Sequence, residues 1–260
     1  MTEITSKNNQ IFKLFQKLET KKYRDKLGLY IIEGENLIEE ALNNGAVIDK
    51  VIIRKGDEAR LLRLGVEEDK VLLADKSLFN QIGQTQNSQG IVAAVKKPVF
   101  SLEEFLNNGA PGNFVVLDRL QDPGNIGTII RTADAAGYTL VIALKGTADI
   151  FSPKVVRAAT GSLFRMPIAM VEDEEELLIL IKKAKKRLAA SCLEGSRYYY
   201  EEDLTNDIAL VVGNEGNGVS QSLIEKAELK IKIPMLGTIE SLNASVAAAI
   251  IMYEAVRPRA

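Results

Sequence analysis

Apolar positions along the chain alternate between two periods. Short runs rich in β-branched residues, GLYII at 28–32, VIDKVII at 47–53, VLLA at 71–74 and GIVAAV at 90–95, predict strands. Between them, Leu37, Ile38, Ala41 and Leu42 share one face of a helix running from about Gly34 to Asn44 and stopped by Gly45, and DEARLLRL and DKSLFNQI supply shorter helices. This predicts a small α/β unit ending near Lys97 and Pro98, with the polar stretch QTQNSQG at 84–90 as an exposed loop offered to a partner. Residues 98–112, punctuated by Pro98, Gly109, Pro111 and Gly112, predict a linker with one short helix around SLEEFL.

The alternation then resumes. Strands are predicted at FVVLD (114–118), TLVIAL (139–144), MPIAM (166–170), LAASC (188–192), IALVVG (208–213) and LKIKIP (229–234). Helices are predicted through residue 136, across 152–159 and 173–187, and from about Ser241 to Val256. Apolar strands separated by helices predict an α/β domain with a mostly parallel sheet covered on both faces. Ligand sites in such a sheet lie at the carboxyl ends of its strands. The expected division is therefore 1–97, a linker at 98–112, and 113–260.

Composition narrows the chemistry. The chain has 260 residues, 46% hydrophobic and 26% charged, and no histidine. That absence excludes Ser-His-Asp and Cys-His nucleophile systems and HExxH zinc sites, and no metal site is expected. One cysteine, Cys192, cannot form an internal disulfide and suits a reducing, cytoplasmic setting. The opening MTEITSKNNQ lacks an apolar signal core. The densest late run, LNASVAAAIIMYEAV, covers 15 residues and is too short for a membrane span.

Net charge is −2, but residues 1–27 hold seven Lys/Arg against three acids. Such a segment suits a phosphate backbone and equally a solvated helix face. The runs EDEEE at 172–176 and KKAKKR at 182–187 complement the dipole of one helix.

Three segments fall where the sheet places ligands. In LDRLQDPGNIGTIIRTADAAG (117–137), a turn at Asp122–Asn125 opens a helix that carries Arg131 six residues beyond Asn125. A guanidinium beside a helix start suits phosphate or a developing oxyanion, although a turn followed by a solvated Arg gives the same pattern. GNIG lacks the order of a dinucleotide fingerprint. In VVGNEGNGVS (211–220), glycines flank Glu215 after a buried strand. They permit close approach of a flat ligand, whereas the acid disfavours phosphate. In IPMLGTIESLNASVAAAI (233–250), Ser241, Asn243 and Ser245 open a helix of small apolar residues, and an amide in such a place needs a partner.

NIGxxxRTADAxG, VVGNEGxGVS and IPMxGxxESLNxSVAxAI resemble, in order and spacing, the three motifs of the SpoU-type (TrmH-like) RNA ribose 2'-O-methyltransferases of the SPOUT superfamily. The likeness covers residues 113–257. The leading unit, with YIIEGENLIEEAL and QGIVAAV, is similar to the small ribosomal-protein-like RNA-binding domain often fused ahead of it.

The resemblance implies a C-terminal trefoil knot that binds S-adenosylmethionine, and a homodimer with RNA crossing its interface. Carried over by position, Gly213, Ile233 and Leu242 hold the adenine and amino-acid parts of the cofactor, with Gly216, Met235 and Ala247 nearby. Asn125, Arg131, Glu215 and Asn243 match the polar catalytic set, and Lys17, Lys21, Lys22 and Arg24 are the expected RNA contacts in the first unit. The implied reaction methylates a ribose 2'-hydroxyl of structured RNA, with 23S ribosomal RNA as the expected substrate. A tRNA enzyme, an antibiotic-resistance enzyme and a silent RNA-binding protein share parts of this pattern.

Overall fold

The computed structural model describes residues 1–83, 89–192 and 195–257. Most of the loop expected at 84–90 lies outside them. The chain divides into two compact units, Met1–Val99 with Phe151–Phe164, and Phe100–Ile150 with Arg165–Ala260.

The first unit contains β1 (Thr2–Ile4), α1 (Gln10–Leu18), α2 (Lys21–Leu27), β2 (Leu29–Glu33), α3 (Glu35–Asn43), β3 (Ile48–Arg54), α4 (Leu61–Leu64), β4 (Val71–Ala74), α5 (Lys76–Phe79) and β5 (Ile91–Lys96). Its sheet runs β1-β4-β3-β5-β2. β5 pairs antiparallel with β2 and β3, and the remaining pairs are parallel. α1 starts where the Asn9 side chain accepts from the Ile11 and Phe12 N–H groups. It buries Phe12, Phe15 and Leu18 in a core with Ile31, Ile52 and Val92. Each such side chain stabilises by roughly 1.5–3 kcal/mol relative to exposure.

The second unit contains α6 (Leu102–Asn107), β6 (Phe114–Asp118), α7 (Pro123–Ala135) and β7 (Leu140–Leu144). The chain then leaves it for α8 (Pro153–Ala159), which belongs to the first unit and contacts β2 there. It returns for β8 (Ile168–Val171), α9 (Glu174–Lys183), β9 (Arg187–Ser191), β10 (Arg197–Tyr198), β11 (Ile208–Gly213), α10 (Gln221–Lys226), β12 (Leu229–Lys232) and α11 (Ala244–Val256). The sheet order is β10-β12-β9-β11-β6-β7-β8, and every pair is parallel.

Four features differ from the sequence expectation. Residues 98–112 hold the expected short helix, but from Phe100 on they belong to the second unit, because Phe100, Leu102, Phe105 and Leu106 pack on its core beside Phe114 and Leu177. Residues 151–164 sit with the first unit, because Phe151 packs against Tyr30 with ring centroids 5.0 Å apart. The helix expected across 173–187 ends at Lys183. Lys185 adopts a φ of 54°, and Arg187 already pairs as β9. The short edge strands β1 and β10 carry too few residues to show a period.

Candidate active site

β6 and β11 are neighbours in register, with Asp118 opposite Gly213. β7 and β8 continue from β6 to one side, and β9, β12 and β10 continue beyond β11 to the other. The loops leaving β6 and β11 thus meet at a topological switch point, where open parallel sheets bind ligands. Buried Asp118 accepts from the Ser220 N–H at 2.7 Å and from the Arg119 guanidinium at 2.8 Å. Arg119 reaches Glu174 with its other terminal nitrogen at 2.7 Å. The Ser222 hydroxyl and the Arg119 guanidinium hold the Glu174 carboxyl below the usual carboxylate range.

The turn after β11 is folded by the Asn214 side chain. Asn214 Oδ1 accepts from the N–H groups of Gly216 at 3.0 Å and Asn217 at 3.1 Å, an Asx turn. Its Nδ2 donates to the Arg119 carbonyl at 2.9 Å, joining the two loops. Gly213 is required where it stands, because a Cβ there would lie 2.1 Å from the backbone carbon of Gly218 and the backbone nitrogen of Val219.

All three segments are wired together by polar bonds. The Glu215 carboxylate accepts from the backbone N–H of Gln121 and of Asp122, each at 3.0 Å, and from Asn125 Nδ2 at 3.1 Å. Asn125 Oδ1 accepts from Asn243 Nδ2 at 2.9 Å. Asn243 Oδ1 then accepts from the Ser245 N–H at 2.9 Å and its hydroxyl at 2.7 Å, capping α11. The chain of bonds has one direction. An ionised carboxylate only accepts, so Asn125 must turn its amide NH2 to Glu215 and its oxygen to Asn243. Partial burial pushes the Glu215 carboxyl up, but its N–H donors outweigh this and hold it below the usual carboxylate range. Asp122 caps α7 by accepting from the Asn125 N–H at 2.9 Å, and Pro123 fills the helix start, where no N–H is needed.

Beside this network lies a cavity of about 650 Å³. Its lining includes Gly213, Gly216, Ile233, Met235, Leu242 and Ala247, together with Glu215 and Asn243. Arg131 is exposed on α7 and does not line the cavity, and among the described residues its side chain makes no hydrogen bond or ion pair. Its guanidinium is available to an incoming group.

Lys17, Lys21 and Lys22 are exposed in the first unit, with Lys17 Nζ 5.7 Å from the centroid of the Tyr23 ring. Arg24 is a correction. It is 3% exposed and donates to the Leu18 carbonyl at 2.6 Å, satisfying the carboxyl end of α1 rather than facing a phosphate. Sequence reasoning passed over Asn214, Asp118 and Gln121. Asn214 was legible as an amide at the head of a glycine turn, and Asp118 as the acid closing an apolar strand.

Residues 112–253 match the SpoU rRNA Methylase family, and residues 8–93 match the MRM3-like substrate binding domain. The 23S rRNA (guanosine(2553)-2'-O)-methyltransferase RlmP of Bacillus subtilis is 37% identical over 256 residues, spanning 97% of this chain and 98% of that protein. The crystal structure of AdoMet-bound rRNA methyltransferase from Sinorhizobium meliloti is similar at a TM-score of 0.88 and 33% identity, covering 99% of this chain and 98% of that one. The SpoU methyltransferase AviRb from Streptomyces viridochromogenes, in complex with AdoMet, has a TM-score of 0.84 and 29% identity over 97% and 98% of the two chains. With one family match enclosing more than half of its residues and a relative this similar along nearly its whole length, the chain belongs to the SpoU rRNA methylase family.

Proposed function

We propose that this protein is an S-adenosylmethionine-dependent methyltransferase acting on a ribose 2'-hydroxyl of ribosomal RNA, with 23S RNA as its substrate. The observation that carries this reading is the Glu215–Asn125–Asn243 network at the edge of the cavity. The residues present fit the cofactor. A cavity of about 650 Å³ lies within the range of small-ligand sites. Gly213 keeps its wall bare, Ile233 and Leu242 offer apolar surface, and Glu215 and Asn243 add polar groups. These residues would hold the cofactor, which supplies an electrophilic methyl group.

The chain's own groups prepare the acceptor. Glu215 is engaged by three donors and kept ionised, so its work is to lock the two loops and orient Asn125. Asn125 and Asn243 orient the acceptor hydroxyl. Arg131 stabilises the negative charge that develops on the 2'-oxygen, and its free guanidinium supports this role.

The same reading includes a trefoil knot in the second unit, supported by family membership. It also includes a homodimer, supported by exposed Leu236, Ile239, Val246 and Tyr253 on α11 and the loop before it. The first unit carries RNA affinity through Lys17, Lys21 and Lys22, and the enzyme works in the cytoplasm. No helix among the described residues is long and apolar enough to cross a membrane.

The test is transfer of labelled methyl to purified 23S RNA, 16S RNA and tRNA, followed by nucleoside analysis. The nucleotide equivalent to the guanosine named for the Bacillus relative is examined first. Methylation of a base, or of tRNA alone, would overturn the assignment.

A further inference from the structure

Outside the network, the residues of the second unit with the most exposed stacked aromatic surface lie at the edge of its sheet. Tyr198 and Tyr200 stack with ring centroids 5.4 Å apart and planes at 16°, and both are exposed, at 37% and 48%. Tyr199 meets Tyr200 edge-on at 5.2 Å, bracing the stack from the side. The backbone is fixed by a short turn at Tyr199–Glu201, where the Tyr198 N–H donates to the Glu201 carboxylate at 2.9 Å. The neighbouring acid, Glu202, is engaged by Arg197 at 3.0 Å.

Strand register ties this stack to the cavity. Tyr198 of β10 is the parallel partner of Lys232 of β12, and Lys232 Nζ lies 5.2 Å from the centroid of the Tyr198 ring. Lys230 and Lys232, two positions apart and so on one face of β12, both line the cavity. The aromatic stack therefore continues the cavity wall across one strand spacing, with a cation at the seam.

We propose that Tyr198 and Tyr200 form a stacking platform for an unpaired nucleobase of the substrate RNA, flanking the nucleotide that is methylated, while Lys232 attracts its phosphate. The inference rests on the reading of the chain as an RNA methyltransferase. Two exposed, pre-stacked rings offer a π-face that accepts any base, and an adjacent ammonium suits a phosphate. A platform for a second copy of this chain would present the same rings, so the test separates the two.

The test measures binding of a ten-nucleotide oligoadenylate, and of the same ribose-phosphate chain without bases, to the full-length protein. The Tyr198→Ala, Tyr200→Ala double variant is expected to bind oligoadenylate about ten-fold more weakly, the scale of one lost base-aromatic stack. Its affinity for the abasic chain and for S-adenosylmethionine should be unchanged. Tyr198→Phe with Tyr200→Phe should restore binding, since the ring and not the hydroxyl is required, and the corresponding leucine pair should not. Equal loss on the abasic chain, full affinity in the leucine pair, or a fall in molecular mass by light scattering would overturn the platform, the last in favour of contact between copies. A wild-type chain that does not methylate ribosomal RNA would instead sink the enzymatic reading, and is distinguishable because it requires no variant.

Discussion

Asn243 donates its side-chain amide to Asn125 Oδ1 at 2.9 Å across 118 positions of the chain, and the same residue caps α11. The two jobs use different atoms, so they separate by substitution. Asn243→Asp keeps the capping oxygen but sets a carboxylate against Asn125, which cannot flip its amide without facing Glu215 with its oxygen. Stability by urea denaturation should change little, while single-turnover methylation falls strongly. Asn243→Ala should also cost about 0.5–2 kcal/mol through the lost cap. Equal activity in the Asp variant would show that the bond to Asn125 is dispensable.

Glu215 predicts a pH dependence with a definite sign. Its folded pKa lies below the ordinary value of 4.5, so its contribution to stability is fully present above that value. It is lost as pH falls through the lower folded value, where the carboxylate takes a proton and gives up its N–H donors. Glu215→Gln should therefore be less stable than wild type at neutral pH, and the gap between their urea midpoints should narrow on acidification. A gap that stays constant down to pH 3 would remove the linkage.

Gly213, closing β11, and Gly216, in the turn after it, should respond differently. A Cβ on Gly213 meets backbone at 2.1 Å, whereas on Gly216 its nearest neighbour is Asn214 Oδ1 at 3.6 Å. Gly213→Ala is expected to destabilise by roughly 1–3 kcal/mol and abolish cofactor binding. Gly216→Ala should fold within about 0.5 kcal/mol of wild type. Calorimetric titration with S-adenosylmethionine beside thermal unfolding reads both.

Arg131→Ala should leave S-adenosylmethionine affinity within a few-fold and lower the single-turnover rate at saturating RNA by roughly 10²-fold or more. Lysine should restore only part of the rate, because it keeps the charge without the forked geometry. A defect confined to RNA affinity would make Arg131 a phosphate anchor instead.

The basic opening contains two kinds of residue. Replacing Lys17, Lys21 and Lys22 with glutamine should weaken RNA binding and flatten its salt dependence by roughly 2 in logarithmic slope, with folding intact. Arg24→Ala should instead cost about 1–3 kcal/mol of stability, since it leaves the buried Leu18 carbonyl unpaired. Equal effects from both groups on RNA binding alone would reverse that division.

How far the sequence reached depends on the length scale of the signal. β6, β7 and β11 are buried on both faces, so their residues form apolar runs that announce themselves. The segments after β11 and β12 carried enough glycine and amide residues to locate the cavity, and the segment after β6 is joined to them through Asn125. The three-residue β1 and two-residue β10 left no period, and β10 carries the tyrosine stack. Arg24 was read from its charge, whereas its surroundings decide its role. A buried guanidinium on a carbonyl at the end of the preceding helix and an exposed one on RNA are spelled identically. Asn214 went unread because the eye stops at glycine, although the amide folds the turn that the glycines permit.

The loop of chain from Phe151 to Phe164 bears on how such a protein can be taken apart or recombined. Its helix α8 buries Val155, Val156 and Ala159, and Phe151 packs on Tyr30 of the same unit. Residues 1–99 are therefore not a cassette that can be swapped by a single cut, since the partner half carries a piece of their core. A chimera that exchanges the leading unit must exchange this insert with it, or it will present three orphaned apolar side chains to water and trade specificity for aggregation.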